Sequence, residues 1–203
     1  MDLREKIKKL LLSTKREGIE NLITHMEECG FYKAPCSTQY HLAKEGGLAE
    51  HSLNVLDVAT EIARVLYPDI KKESVIMCAL LHDIGKIGQY NKPNYVPNML
   101  KGRATKANPE PEPYQSTAKP YITNPELLYI DHEVRSVSII SKFVDLTEEE
   151  QQAILWHNGL YGPFKYGIQG KETPLYMILH FADLWADRVV ETENEESGEK
   201  SNE

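Results

Sequence analysis

An all-α fold is predicted by three observations. Apolar residues recur at helical spacing along most of the chain, capping signals punctuate those stretches, and no segment alternates as a half-buried strand would. A first amphipathic stretch covers Leu3 to Glu28, broken near Gly18, and Gly30 ends it before Pro35 in the link. Leu48, Val55, Ala59, Ile62 and Leu66 follow at steps of three, four and seven, and His51 falls on the same stripe and is expected to point inward. Ser74 to Ile84 is apolar almost all round, the pattern of a central buried helix, with Gly85 and Gly88 placed to terminate it.

From Gln89 to Asp131 the periodicity is lost. This stretch holds seven of the eleven prolines and several tyrosines, so a long loop or insertion over 89–131 is expected. Helical order resumes with His132, Ser136, Ile140 and Phe143 on one stripe. Thr147-Glu148-Glu149-Glu150 then reads as a capping box, with Ala153, Ile154 and His157 inward and Asn158-Gly159 as a left-handed stop. Gly159 to Thr173 reads as a loop. Thr173-Pro174 sets an N-cap before a first-turn proline, and the last helix carries Leu175, Leu179, Ala182, Ala186 and Val189 inward with Asp183 beside them.

At 203 residues, 41% hydrophobic and 27% charged, the chain is expected to form one domain over 1–190 followed by an acidic, disordered tail over 191–203. That tail supplies most of the net charge of −8. An acidic chain without basic runs is a poor tight binder of duplex DNA, which requires Lys and Arg against phosphates. No apolar run reaches the ~20 residues of a membrane span, the N-terminus lacks a signal-peptide pattern, and Cys29, Cys36 and Cys78 form no disulfide framework. A cytoplasmic protein with no membrane partner is the expectation.

The chemistry centres on the doublet His82-Asp83 inside Ala79-Leu80-Leu81-His82-Asp83-Ile84-Gly85-Lys86. An imidazole and a carboxylate among leucines are costly unless compensated, and a metal ion does so by taking nitrogen and oxygen ligands directly. His51, His82, Asp83, His132, His157 and Asp183 all stand on inward faces or at helix ends. Each alone could be a hydrogen-bonded core residue; six on five helices point to a shared centre. Ligands of this kind suit Fe, Mn, Zn, Ni or Mg. Two ions ~3.5–4 Å apart with one bridging carboxylate would use all six. His180 could orient a ligand or make a plain core contact, His25 is read as surface, and Cys78 as inert packing.

The order His51, His82-Asp83, Asp183 resembles the HD superfamily of metal-dependent phosphohydrolases, with Leu80 to Lys86 looking like its defining motif. Gly46-Gly47-Leu48-Ala49-Glu50-His51-Ser52, His132-Glu133-Val134-Arg135-Ser136 and Trp156-His157-Asn158-Gly159 are similar to the HD domain of bacterial 3′→5′ exoribonucleases and to small stand-alone HD proteins of Gram-positive bacteria and their phages. The resemblance runs from about Phe31 to Arg188. It implies divalent ions that activate water against a phosphoester of a nucleotide or short oligonucleotide. Asp83 would be the central or bridging ligand, and Asp183 a ligand and general base. Lys86, Arg135 and His41 would contact substrate, with a helix-end charge as the plainer role for Lys86 and a local loop bond for His41. The alternative is a non-catalytic protein that keeps the HD shell to sense a nucleotide or bind a partner.

Overall fold

The computed structural model describes residues 2–106, 108–161 and 166–192. The apolar spacing resolves there into seven α-helices: α1 (Leu3–Ser13), α2 (Ile19–Glu28), α3 (Gly47–Leu66), α4 (Lys72–Leu81), α5 (His132–Ile140), α6 (Glu148–Trp156) and α7 (Pro174–Trp185). Helix α3 packs along α4 and α7, α6 packs on α7 and α4, and α5 lies across the turn that follows α4. Leu48, Val55 and Ala59 of the α3 stripe are buried, as is His51. Leu66, expected on the same stripe, is 70% exposed. Among the described residues no helix is long and apolar enough to cross a membrane.

The capping box forms as read: Glu150 N–H donates to Thr147 Oγ1 at 3.2 Å and Thr147 N–H to Glu150 Oε2 at 2.9 Å. Thr173 caps α7, accepting from Tyr176 N–H, with Pro174 at the first helical position. Glu150 is also fully buried and paired with Arg16, which ties the connection between α1 and α2 to α6. His25, read as surface, is half-buried against the Phe143 ring at 5.0 Å.

Three departures matter for the site. The apolar run of α4 does not stay α-helical to Ile84: the helix closes at Leu81, and after His82 and Asp83 a 3₁₀ turn covers Ile84–Ile87. The segment 89–131 contains four short strands, β1 (Tyr95–Pro97), β2 (Met99–Leu100), β3 (Tyr114–Gln115) and β4 (Tyr121–Thr123). β1 pairs antiparallel with β4 and β2 with β3. Strands of two or three residues among prolines carry no legible alternation. Finally, α7 passes through a wider π-helical turn over Ala186–Val190 and continues to Glu191 and Thr192. Glu191 is fully buried, so the boundary drawn before it does not hold; the expected disorder of the rest of the tail, 193–203, lies outside the described residues.

Gly85 sets how closely α5 approaches the doublet. A Cβ at this position would stand 2.1 Å from the His132 carbonyl oxygen and 2.9 Å from Ser136 N, and Gly85 N–H donates to Ser136 Oγ at 2.8 Å. Gly85→Ala is therefore expected to push α5 outward and destabilise the fold by about 1–3 kcal/mol, the usual range for overpacking. Denaturant midpoints of the two proteins check this, and equal midpoints would show that α5 can slide at no cost.

Candidate metal centre

Five helices deliver six side chains to one place. His51 comes from the first third of α3, His82 and Asp83 from the end of α4, His132 from the start of α5, His157 from just past α6, and Asp183 from α7. His51, His82, Asp83 and His157 are each at most 1% exposed. Asp83 Oδ1 lies 3.2 Å from His132 Nε2 and 3.5 Å from His157 Nε2. Its other oxygen, Oδ2, lies 3.5 Å from His82 Nε2 and 3.8 Å from His51 Nε2. Asp183 Oδ1 closes the group at 3.1 Å from His51 Nε2 and 3.7 Å from His82 Nε2.

The orientation of the rings is set from behind. His82 Nδ1 donates to the Ala79 carbonyl at 3.0 Å and His157 Nδ1 to the Ile154 carbonyl at 2.7 Å. A carbonyl only accepts, so the proton sits on Nδ1 and leaves Nε2 with a lone pair. His51 Nδ1 faces Glu191 Oε1 at 2.8 Å, and His132 Nδ1 faces Glu133 Oε2 at 3.3 Å. His51, His82 and His157 are thus held by Nδ1, and all four rings present Nε2 to the two aspartates, the arrangement found where imidazoles ligate metals. His82 Nε2 and Asp83 Oδ1 are buried without a hydrogen bond. Buried polar atoms left unpaired are costly, and a cation bound between them would remove that cost. The donor set, imidazole nitrogen and carboxylate oxygen, fits a divalent transition ion. Overlapping trios with ligand atoms within 4.8 Å of one another, His51-His82-Asp83, His82-His157-Asp183 and Asp83-His132-His157, could each hold one.

Without a cation, protons take its place. Burial opposes charge on His82, but Asp83 and Asp183 outweigh it and raise its pKa to about 10. Burial likewise opposes charge on His51, and Asp183 with Glu191 raises it to about 9. Burial would push the Asp83 carboxyl up, yet Lys86 and His82 hold it well below the usual carboxylate range. Asp183 is held low by His51 and His82 against the same effect of burial.

Lys86 stands on the 3₁₀ turn, so it reaches Asp83 at i+3 rather than the same α-helical face as His82, and its Nζ donates to Asp83 Oδ2 at 2.5 Å. Arg135 is 3% exposed and points toward the roots of the insertion, donating to Asn94 Oδ1 at 3.4 Å and the Leu128 carbonyl at 3.2 Å; its Nε is unpaired. His41 has partners at both nitrogens: Nδ1 lies 2.5 Å from Asp187 Oδ1 and Nε2 lies 3.3 Å from Cys36 Sγ. His180 bonds the His157 carbonyl at 2.7 Å and fills the space beside Gly159, whose φ of +53° and contact with that ring admit no side chain. Cys78 is a buried packing residue.

Three neighbours of the cluster are not among the residues that the sequence singles out: Glu191, Asp187 and Cys36. For the first two a signal existed, since Asp183, Asp187 and Glu191 step by four and continue one helical face. The acidic composition of 191–203 masks Glu191 as part of that tail. Cys36 carried no signal, because its place beside Asp83 comes from a loop path that no periodicity encodes.

The HD domain family model matches residues 48–184, more than half of the chain. No solved structure matches it.

The raised histidine pKa values fix a sign for the metal-free protein. His51 and His82 bind protons more tightly folded than unfolded, so the stability they contribute is fully present below their unfolded pKa of about 6.5. It is lost as pH rises through about 9 and about 10. Asp83 and Asp183, held low, contribute stability above their unfolded pKa of about 4 that is lost on acidification. Chelator-treated protein is expected to become less stable from pH 7 to pH 10, read as a falling denaturant midpoint, and a flat profile would contradict the protonated cluster.

Proposed function

Because the chain belongs to the HD-domain family, whose members are generally metal-dependent hydrolases, we propose that it hydrolyses a phosphoester of a nucleotide or short oligonucleotide. One observation carries this reading. The two oxygens of Asp83 are divided between two imidazole pairs, Oδ1 facing His132 and His157, Oδ2 facing His51 and His82. That division suits a carboxylate shared by two ions, with Asp183 completing the side of His51 and His82.

When bound, divalent ions would make water acidic enough to supply a nucleophile near neutral pH and withdraw charge from a phosphoryl oxygen. The remaining roles belong to the chain. Asp183, half-buried with an oxygen toward His51, is the group suited to accept a proton from attacking water. Lys86 offers a cation beside Asp83 to an incoming phosphate oxygen. Arg135 lines a cavity of about 90 Å³ with Tyr95, Tyr129 and His132, and among the described residues no carboxylate pairs with it. A guanidinium left unpaired beside His132, in a cavity that Asp131 also lines, suits a second phosphate oxygen. His41, already engaged at both nitrogens, is less suited to touch substrate.

The test is turnover of phosphomonoester and phosphodiester reporters, then a nucleotide panel, with manganese added to metal-stripped protein. His157→Ala is expected to lower kcat at least 100-fold and to reduce bound metal from two ions to one per chain by elemental analysis, in line with ligand loss at a two-ion centre. Unchanged stoichiometry would remove the dinuclear reading. A metal-loaded protein that turns over no phosphoester but binds nucleotides would move the function to the sensing role.

The segment 89–131 leaves the centre after the 3₁₀ turn and returns at His132, so it is placed to wall the cleft. Tyr95 and Tyr129 offer flat surface to a base there. Replacing 101–120 by a short Gly/Ser linker is expected to change the ranking of substrates by kcat/KM while sparing metal content. An unchanged ranking would make the segment a passive connection.

A further inference from the structure

A fifth imidazole repeats the pattern of the four at the centre but faces a different atom. His41 Nδ1 is held by Asp187 Oδ1 at 2.5 Å, which leaves Nε2 to face Cys36 Sγ at 3.3 Å. Two ligands of one tetrahedral ion, with metal–sulfur and metal–nitrogen bonds of about 2.3 and 2.0 Å, stand roughly 3.5 Å apart. The Cys36–His41 spacing fits that edge. His51 joins them in a trio whose ligand atoms lie within 4.8 Å of one another. The His41 and His51 rings lie 5.1 Å apart.

A second observation comes from the other side of His41. Glu191 is fully buried, and its Oε2 has no hydrogen-bond partner. It forms with His41 and Asp187 another trio within 4.8 Å. Cys36 itself is fully buried, which argues against a nucleophile that must meet a bulky substrate. Burial and the nearby carboxylates hold the Cys36 thiol well above its ordinary pKa, with Lys86 Nζ at 3.7 Å acting the other way, so a bound cation is what would draw off its proton.

We propose that Cys36 and His41 supply the thiolate and the imidazole of a site for a borderline-soft divalent cation such as zinc or cobalt(II), with Asp187 positioning His41. On binding, the Cys36 S–H bond gives its proton to solvent and its electron pair to the ion, with no change of oxidation state. The site adjoins the His/Asp cluster and would bias it toward ions that accept sulfur, away from magnesium. Asp187 acts through His41 as an orienting carboxylate.

Cobalt(II) titration of the metal-stripped full chain, under reducing conditions, tests this. Thiolate ligation to cobalt gives a near-ultraviolet charge-transfer absorption that nitrogen and oxygen ligands do not. The band is expected in the unaltered protein and in Cys29→Ser/Cys78→Ala, where Cys36 is the sole thiol. It should be lost in Cys36→Ser, and Asp187→Asn should need about 10–100-fold more cobalt to reach it. Absence of the band in the unaltered chain at saturating cobalt, or its persistence in Cys36→Ser, would overturn the proposal. Phosphoester turnover is scored apart from the band. Turnover without the band removes only this site, and the band without turnover removes only the hydrolase reading.

Discussion

The structure depends on one buried carboxylate. Asp83 is 1% exposed, and an ion taken from water into a protein interior loses several kcal/mol even after relaxation. Its own helix supplies only His82 against that. The compensation is Lys86 on the following turn and imidazoles that arrive on α3, α5 and α6, with His82 beside it. The helix packing is therefore also an electrostatic arrangement. If α5 or α6 moved outward, Asp83 would lose a compensating group along with the apolar contacts.

Helix ends do most of the positioning. His82 follows the last residue of α4 and His157 the last of α6, and each turns its Nδ1 back to the carbonyl three residues before it. The last carbonyls of a helix lack backbone partners, so the imidazole satisfies an acceptor that would otherwise need water and is oriented by the same bond. His51 sits mid-face and has no such carbonyl. It uses Glu191, brought within reach because the helix continues past Ala186 through a wider turn. Asn54 Nδ2 also donates to Glu191 Oε1, at 3.1 Å, so α3 holds one oxygen of the carboxylate twice.

How much of this was legible follows from what each feature depends on. The helices, the Thr147 box and the inward placement of His51, His82, Asp83, His132 and His157 rest on local spacing and caps, which a sequence displays. The end of α4 three residues early was not legible. The apolar run continues through Ile84, and the stop is imposed by the packing of Gly85 on α5. The strands of the insertion were hidden for another reason. Tyr95 pairs with Thr123 and Leu100 with Tyr114, and such partners are chosen by the path of the chain between them. Glu191 illustrates a third cause: composition averaged over the acidic end masked a position whose helical step from Asp183 pointed inward.

The insertion is not simply hung from the domain, since its two roots are joined to each other and to the centre. Asn124 N–H donates to the Asn94 carbonyl at 2.8 Å and Asn124 Nδ2 to the Pro93 carbonyl at 2.9 Å, which closes the base of the segment. Arg135 reaches Asn94 on the outgoing root and Leu128 on the returning one, from the helix that begins with His132. On the far side, Tyr121 N–H donates to the Thr38 carbonyl, in the loop that carries Cys36 and His41. The insertion is thus tied to the helix of His132 through Arg135 and to the Cys36 loop through Thr38. The guanidinium proposed to meet a phosphate oxygen also joins the two roots of the insertion, so an anion that drew Arg135 away from Asn94 or Leu128 would loosen that junction as it bound.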